Sequence, residues 1–110
     1  MTRFRIGNDI AISWAVKKNG SDLSLSGKAV KLYVTNAKGR EEFTDAITIN
    51  GNVLSFVYSG LKQKVLGRHT LTIDVRSADG KRELIQDKCG AFTLVGRSCE
   101  EHSEKYEISL

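Results

Sequence analysis

The segment Ile47-Thr48-Ile49-Asn50-Gly51-Asn52-Val53-Leu54-Ser55-Phe56-Val57-Tyr58 sets two β-prone runs on either side of an Asn-Gly pair. Tight hairpin turns need positive φ, which Asn and Gly reach at least cost, so the segment predicts a β-hairpin. Its returning strand carries apolar residues on both parities. The bulkier set, Leu54, Phe56 and Tyr58, is the expected inward face.

The same period of two extends in both directions. Upstream, Ile10, Ile12, Trp14 and Val16 alternate with small or polar residues, and Val30, Leu32 and Val34 alternate with Lys31 and Tyr33. Downstream, Leu71, Ile73 and Val75 alternate with Thr70, Thr72 and Asp74, and Leu84-Ile85 followed by Phe92 and Leu94 marks two last strands. Alternation of this kind places one set of side chains on a core face and the other in solvent. Trp14 is therefore expected to pack with Leu32, Phe56, Leu71, Ile73 and Phe92 between two sheets.

Turn-prone stretches separate the runs: Lys18-Asn19-Gly20-Ser21-Asp22, Asn36-Ala37-Lys38-Gly39 and Ser77-Ala78-Asp79-Gly80. The single helical candidate is Leu61-Lys62-Gln63-Lys64-Val65-Leu66, closed by Gly67 as a left-handed terminator. About seven or eight short strands and no long helix predict an all-β chain, a sandwich or a small barrel. At 110 residues, 40% hydrophobic and 27% charged, it has the size and composition of one folded domain.

Lysine and arginine number 17 against 13 acidic residues, a formal net charge of +4. Residues 1–40 carry eight basic and two acidic side chains, whereas residues 89–110 carry two and four. Because the basic residues alternate with apolar ones and form no blocks, they read as outward strand faces, and no nucleic-acid partner is expected. Tyr33, with Lys31 and Thr35 beside it, is the one candidate stacking platform, and one aromatic is a weak one. Arg3 and Arg5 interrupt the first ten residues, and no run approaches the roughly 18 apolar residues that span a bilayer. The expectation is a protein that is cytoplasmic when made, with no membrane partner.

No catalytic, cofactor-binding or metal-ligating residue is expected. His69 shares parity with Leu71, Ile73 and Val75, which suits a hydrogen-bonded structural histidine at the edge of the core. His102 lies among Glu100, Glu101 and Glu104, and Cys99 has acidic neighbours that disfavour its thiolate. Cys89 and Cys99 are expected to be free thiols, since an extended stretch between them would hold them roughly 30 Å apart. Gly7, Gly20 and Gly27 are isolated turn glycines and form no phosphate loop.

The stretch Ser59-Gly60-Leu61 to Leu66-Gly67-Arg68-His69-Thr70-Leu71-Thr72-Ile73-Asp74-Val75 resembles the E-to-F crossing of immunoglobulin and fibronectin type III modules. In those modules a buried leucine in the crossing precedes a tight turn and a tyrosine, and here His69 stands at the tyrosine's place. Trp14 is similarly like the core tryptophan of fibronectin type III modules. A further resemblance spans about 95 residues, from Phe4-Arg5-Ile6-Gly7-Asn8-Asp9-Ile10 through Leu25-Ser26-Gly27-Lys28-Ala29-Val30-Lys31-Leu32 to Asp87-Lys88-Cys89-Gly90-Ala91-Phe92 and Val95. It is similar to the N-terminal immunoglobulin-like domain of phage and prophage tail proteins of the baseplate-upper-protein type.

That resemblance implies an immunoglobulin-like (fibronectin type III-like) antiparallel sandwich over residues 1–95. It also implies a non-catalytic adaptor that contacts other subunits of a tail or surface assembly and is carried into a virion or phage-like particle. The alternative is a stand-alone carbohydrate- or protein-binding sandwich whose site lies in loops at one end. Residues 96–110 read as a polar linker. Tyr106, Ile108 and Leu110 then resume the alternation, which predicts either the start of a following segment or a strand that pairs with a neighbouring copy as a homo-oligomer.

Overall fold

A computed structural model describes residues 2–96 and 106–110. Eleven strands are formed among these residues: β1 (Arg3–Arg5), β2 (Ile10–Ala15), β3 (Lys17–Lys18), β4 (Ser21–Asp22), β5 (Ala29–Asn36), β6 (Gly39–Phe43), β7 (Ile47–Asn50), β8 (Val53–Tyr58), β9 (Gly67–Arg76), β10 (Arg82–Val95) and β11 (Glu107–Ser109). The fold is all-β. One sheet has the order β1-β10-β9-β5-β6, the other β11-β2-β8-β7, and β3 with β4 makes a separate ribbon. Both larger sheets are mixed, because β1 runs parallel to β10 and β11 parallel to β2 while every other pair is antiparallel.

The alternating residues identified in the sequence meet between the two sheets. Trp14, Leu32, Phe56, Leu71, Ile73 and Phe92 all lie in one buried cluster, joined by Leu54 and Tyr58 from β8 and by Phe4 from β1. Ring contacts cross the interface, with Phe43 4.8 Å from Phe56 and Tyr58 6.1 Å from Phe92. Val57, on the opposite parity of β8, is 53% exposed, so the bulkier set did turn inward.

Turn chemistry sets the connections. The hairpin forms where the Asn-Gly pair marks it, but with Asn50 paired to Val53 the central turn residues are Gly51 and Asn52, and only Gly51 takes positive φ, +63°. Asn19 and Gly20 both take positive φ, which closes β3 onto β4. The ribbon docks on the β7–β8 turn through Val16 N–H to Asn52 O and Leu25 N–H to Gly51 O.

Two expectations are corrected. The helical candidate makes its one turn as a 3-10 turn, Gly60–Lys62, but the buried crossing leucine that the resemblance implies is absent: Leu61 is 87% exposed and Leu66 55%. The crossing is held instead by polar bonds from Gln63, which leaves its apolar side chains facing outward. The C-terminal strand pairs within its own chain. Glu107, Ile108 and Ser109 lie beside Ala11, Ile12 and Ser13, and the carbonyl oxygen of Tyr106 accepts from the amide of Ala11. The reason is local: β2 presents an unfilled edge, and Tyr106 meets the Phe4 ring at 5.3 Å while Ile108 falls to 8% exposure.

Candidate functional site

The end of the molecule that carries the crossing, residues 59–66, is divided in two. Its first half is sealed against the loop between β1 and β2. Gln63 Oε1 accepts from the amide of Gly7 at 2.8 Å, and Gln63 Nε2 donates to the carbonyl of Asn8 at 2.7 Å. Asp9 Oδ1 accepts from the amide of Gly60 at 2.8 Å, and Ser59 Oγ accepts from Leu61 N–H. A Cβ on Gly60 would stand 2.1 Å from the Gly7 carbonyl oxygen, so only glycine lets the two backbones approach.

Lys62, Lys64 and Val65 of the crossing face the turn between β5 and β6 across a cleft of about 190 Å³. Lys38 reaches it from the turn, and Lys62 and Lys64 from the crossing. Glu41 is the acidic group of the lining and lies 3.9 Å from Lys62 Nζ. The parity of β6 explains its placement, since Glu41 pairs with the buried Val34 and so points between the sheets. Tyr58 closes the floor with a ring only 2% exposed. Burial first, and the negative charge of Glu41 second, raise its phenol pKa above the ordinary value, so the hydroxyl keeps its proton as a donor.

His69 is fully buried on β9, behind this floor. Its ring stacks on Phe92 at 5.0 Å and lies 6.3 Å from Tyr58. Nδ1 lies 2.9 Å from the Gly67 carbonyl, which can only accept, so the ring proton sits on Nδ1 and Nε2 is left as an acceptor. That Nε2 has no hydrogen-bond partner among the described residues. Burial lowers the histidine pKa, more than the Gly67 bond raises it. The ring thus bonds the backbone two residues upstream of itself.

The other groups singled out in the sequence stand apart from the cleft. Cys89 carries an exposed free thiol on β10, while Cys99, His102 and their acidic neighbours lie outside the described residues. Tyr33 faces outward, but Arg40 covers its ring at 4.2 Å and its hydroxyl donates to Glu42, so the stacking platform is filled by the chain itself. A shallow depression of about 160 Å³ on the outer face of β2 and β8 follows from the small side chains of Ala11, Ser13 and Ser55. Among the described residues no group of three or more His, Cys, Asp or Glu could hold a metal, and no helix is long and apolar enough to cross a membrane.

Sequence reasoning missed the partnership of Gln63 with residues 7–9 and the cleft. The glycines at 7 and 60 were visible, but which backbone each approached depends on how two distant loops meet. No protein-family model, curated protein or solved structure matches this chain.

Proposed function

We propose that the chain is a non-catalytic structural or adaptor module with an immunoglobulin-like sandwich, working within a phage-like tail or baseplate assembly. The strand order supports the fold reading. In such sandwiches one sheet runs A-B-E-D and the other C-F-G, with C′ added beside C in the variable type. Here β2-β8-β7 follows B-E-D, with β11 where strand A would pair, and β10-β9-β5-β6 follows G-F-C-C′.

The observation that carries the adaptor reading is the long edge of β10. That strand runs from Arg82 to Val95, yet β1 pairs only with Thr93, Leu94 and Val95. Among the described residues, the side of β10 away from β9 has no strand partner before Thr93. An edge of this length offers backbone donors and acceptors to an added strand, and subunits commonly join in this way. Arg82, Glu83, Asp87 and Lys88 along it restrict indiscriminate pairing. The enclosure of His69 supports the non-catalytic part, because a ring walled off by Phe92 and Tyr58 exchanges no proton with a substrate.

The test pairs the purified chain with the products of neighbouring genes. The reading expects tail or baseplate subunits among them, one of which forms a complex that slows amide exchange in residues 83–88. A glycan-utilisation cluster as neighbours, or a substrate turned over by wild type and not by His69→Ala, would overturn it.

A further inference from the structure

We infer that the cleft between the β5–β6 turn and residues 62–65 is a binding site for an acidic saccharide unit, a sugar ring bearing a carboxylate. The inference stands on the cleft alone and does not depend on the adaptor reading. Three lysines, Lys38, Lys62 and Lys64, line it. Arg40 also borders it, but its guanidinium is turned outward over Tyr33. Only one carboxylate, Glu41, opposes them, and its single contact with Lys62 is loose at 3.9 Å between half-exposed side chains. The ligand must therefore carry negative charge.

Two further groups specify more than an anion. Tyr58 is a nearly buried phenol at the floor, and none of the hydrogen bonds among the described residues uses its hydroxyl. That hydroxyl is open to a ligand in the cleft, to which it can donate a hydrogen bond. Glu41 accepts hydrogen bonds and donates none, so it repels a bare inorganic anion but serves a ligand hydroxyl. Ammonium donors, a carboxylate acceptor and a phenol together fit a polyol with a carboxylate. The volume, about 190 Å³, lies below the roughly 300 Å³ where drug-sized pockets begin, which suits one ring rather than an extended chain. Strands of nucleic acid are disfavoured because the outward aromatic Tyr33 is already covered by Arg40.

The experiment is an amide chemical-shift titration of the full 110-residue chain with D-glucuronate, D-glucose and sodium sulfate at matched ionic strength. Glucuronate should shift residues 36–41 and 62–65 with a dissociation constant on the order of millimolar, while glucose and sulfate bind at least about tenfold more weakly. Added salt should weaken glucuronate binding. The double variant Lys62→Ala/Lys64→Ala should lose about tenfold or more, and Tyr58→Phe, which keeps the buried ring, about three- to tenfold. Glu41→Gln should reduce the preference for glucuronate over sulfate. The inference is overturned by no shift at about 50 mM glucuronate, or by sulfate binding as well as glucuronate with no dependence on Tyr58 or Glu41.

Discussion

The two halves of the β8–β9 crossing are adjacent in sequence and opposite in character. Residues 60–63 are locked to the first loop by Gln63 and Asp9, with Gly60 pressed against the Gly7 carbonyl. Residues 64–66 hold Lys64 and Leu66 in solvent beside the cleft. The polar bonds to the first loop are concentrated in the first half. Sealing a loop with side-chain amides also satisfies backbone groups that the sheets cannot reach.

The sharpest way to break this contrast is Gly60→Ala. Its methyl group would collide with backbone rather than with a movable side chain, so we expect a loss of about 3 kcal/mol or more, read by urea denaturation. Gln63→Leu comes next. It keeps the volume but strands the Gly7 amide and the Asn8 carbonyl, for an expected loss of roughly 2 to 4 kcal/mol.

How much of this was legible follows from what each feature depends on. The inward residues of β2, β5, β8 and β9 were readable because period two is a local property, and Asn50-Gly51 marked its own turn. The pairing of β11 was not readable. Tyr106, Ile108 and Leu110 announced a strand, but which edge it fills depends on β2 being vacant and on Phe4 offering a ring. The leucines at 61 and 66 misled because apolar character alone predicts burial, whereas here polar bonds from Gln63 fix the segment the other way out. Lys38, Lys62 and Lys64 are scattered in sequence, and only the meeting of a turn with a crossing makes them neighbours.

His69 sharpens the comparison from beneath, since it is buried behind the open half. Its folded-state pKa lies below the ordinary 6.5, so the unfolded chain takes up a proton more readily than the folded one. The stability this group contributes is present above pH 6.5 and lost as pH falls through the folded value. Wild type should melt at lower temperature at pH 5 than at pH 7.5, and His69→Phe, which preserves the stack on Phe92, should flatten that part of the profile. An unchanged profile would show that the ring is not the titrating group. The smallest effect belongs to Lys62→Ala/Lys64→Ala, which should leave the unfolding free energy within about 0.5 kcal/mol of wild type.

Hydrogen–deuterium exchange along this one crossing compares the halves directly. The account predicts that the amides of Gly7 and Gly60, bonded to Gln63 Oε1 and Asp9 Oδ1, are protected nearly as strongly as those of β9, while the amides of residues 64–66 exchange orders of magnitude faster. Equal exchange across residues 60–66, or rapid exchange at Gly7 and Gly60, would contradict it.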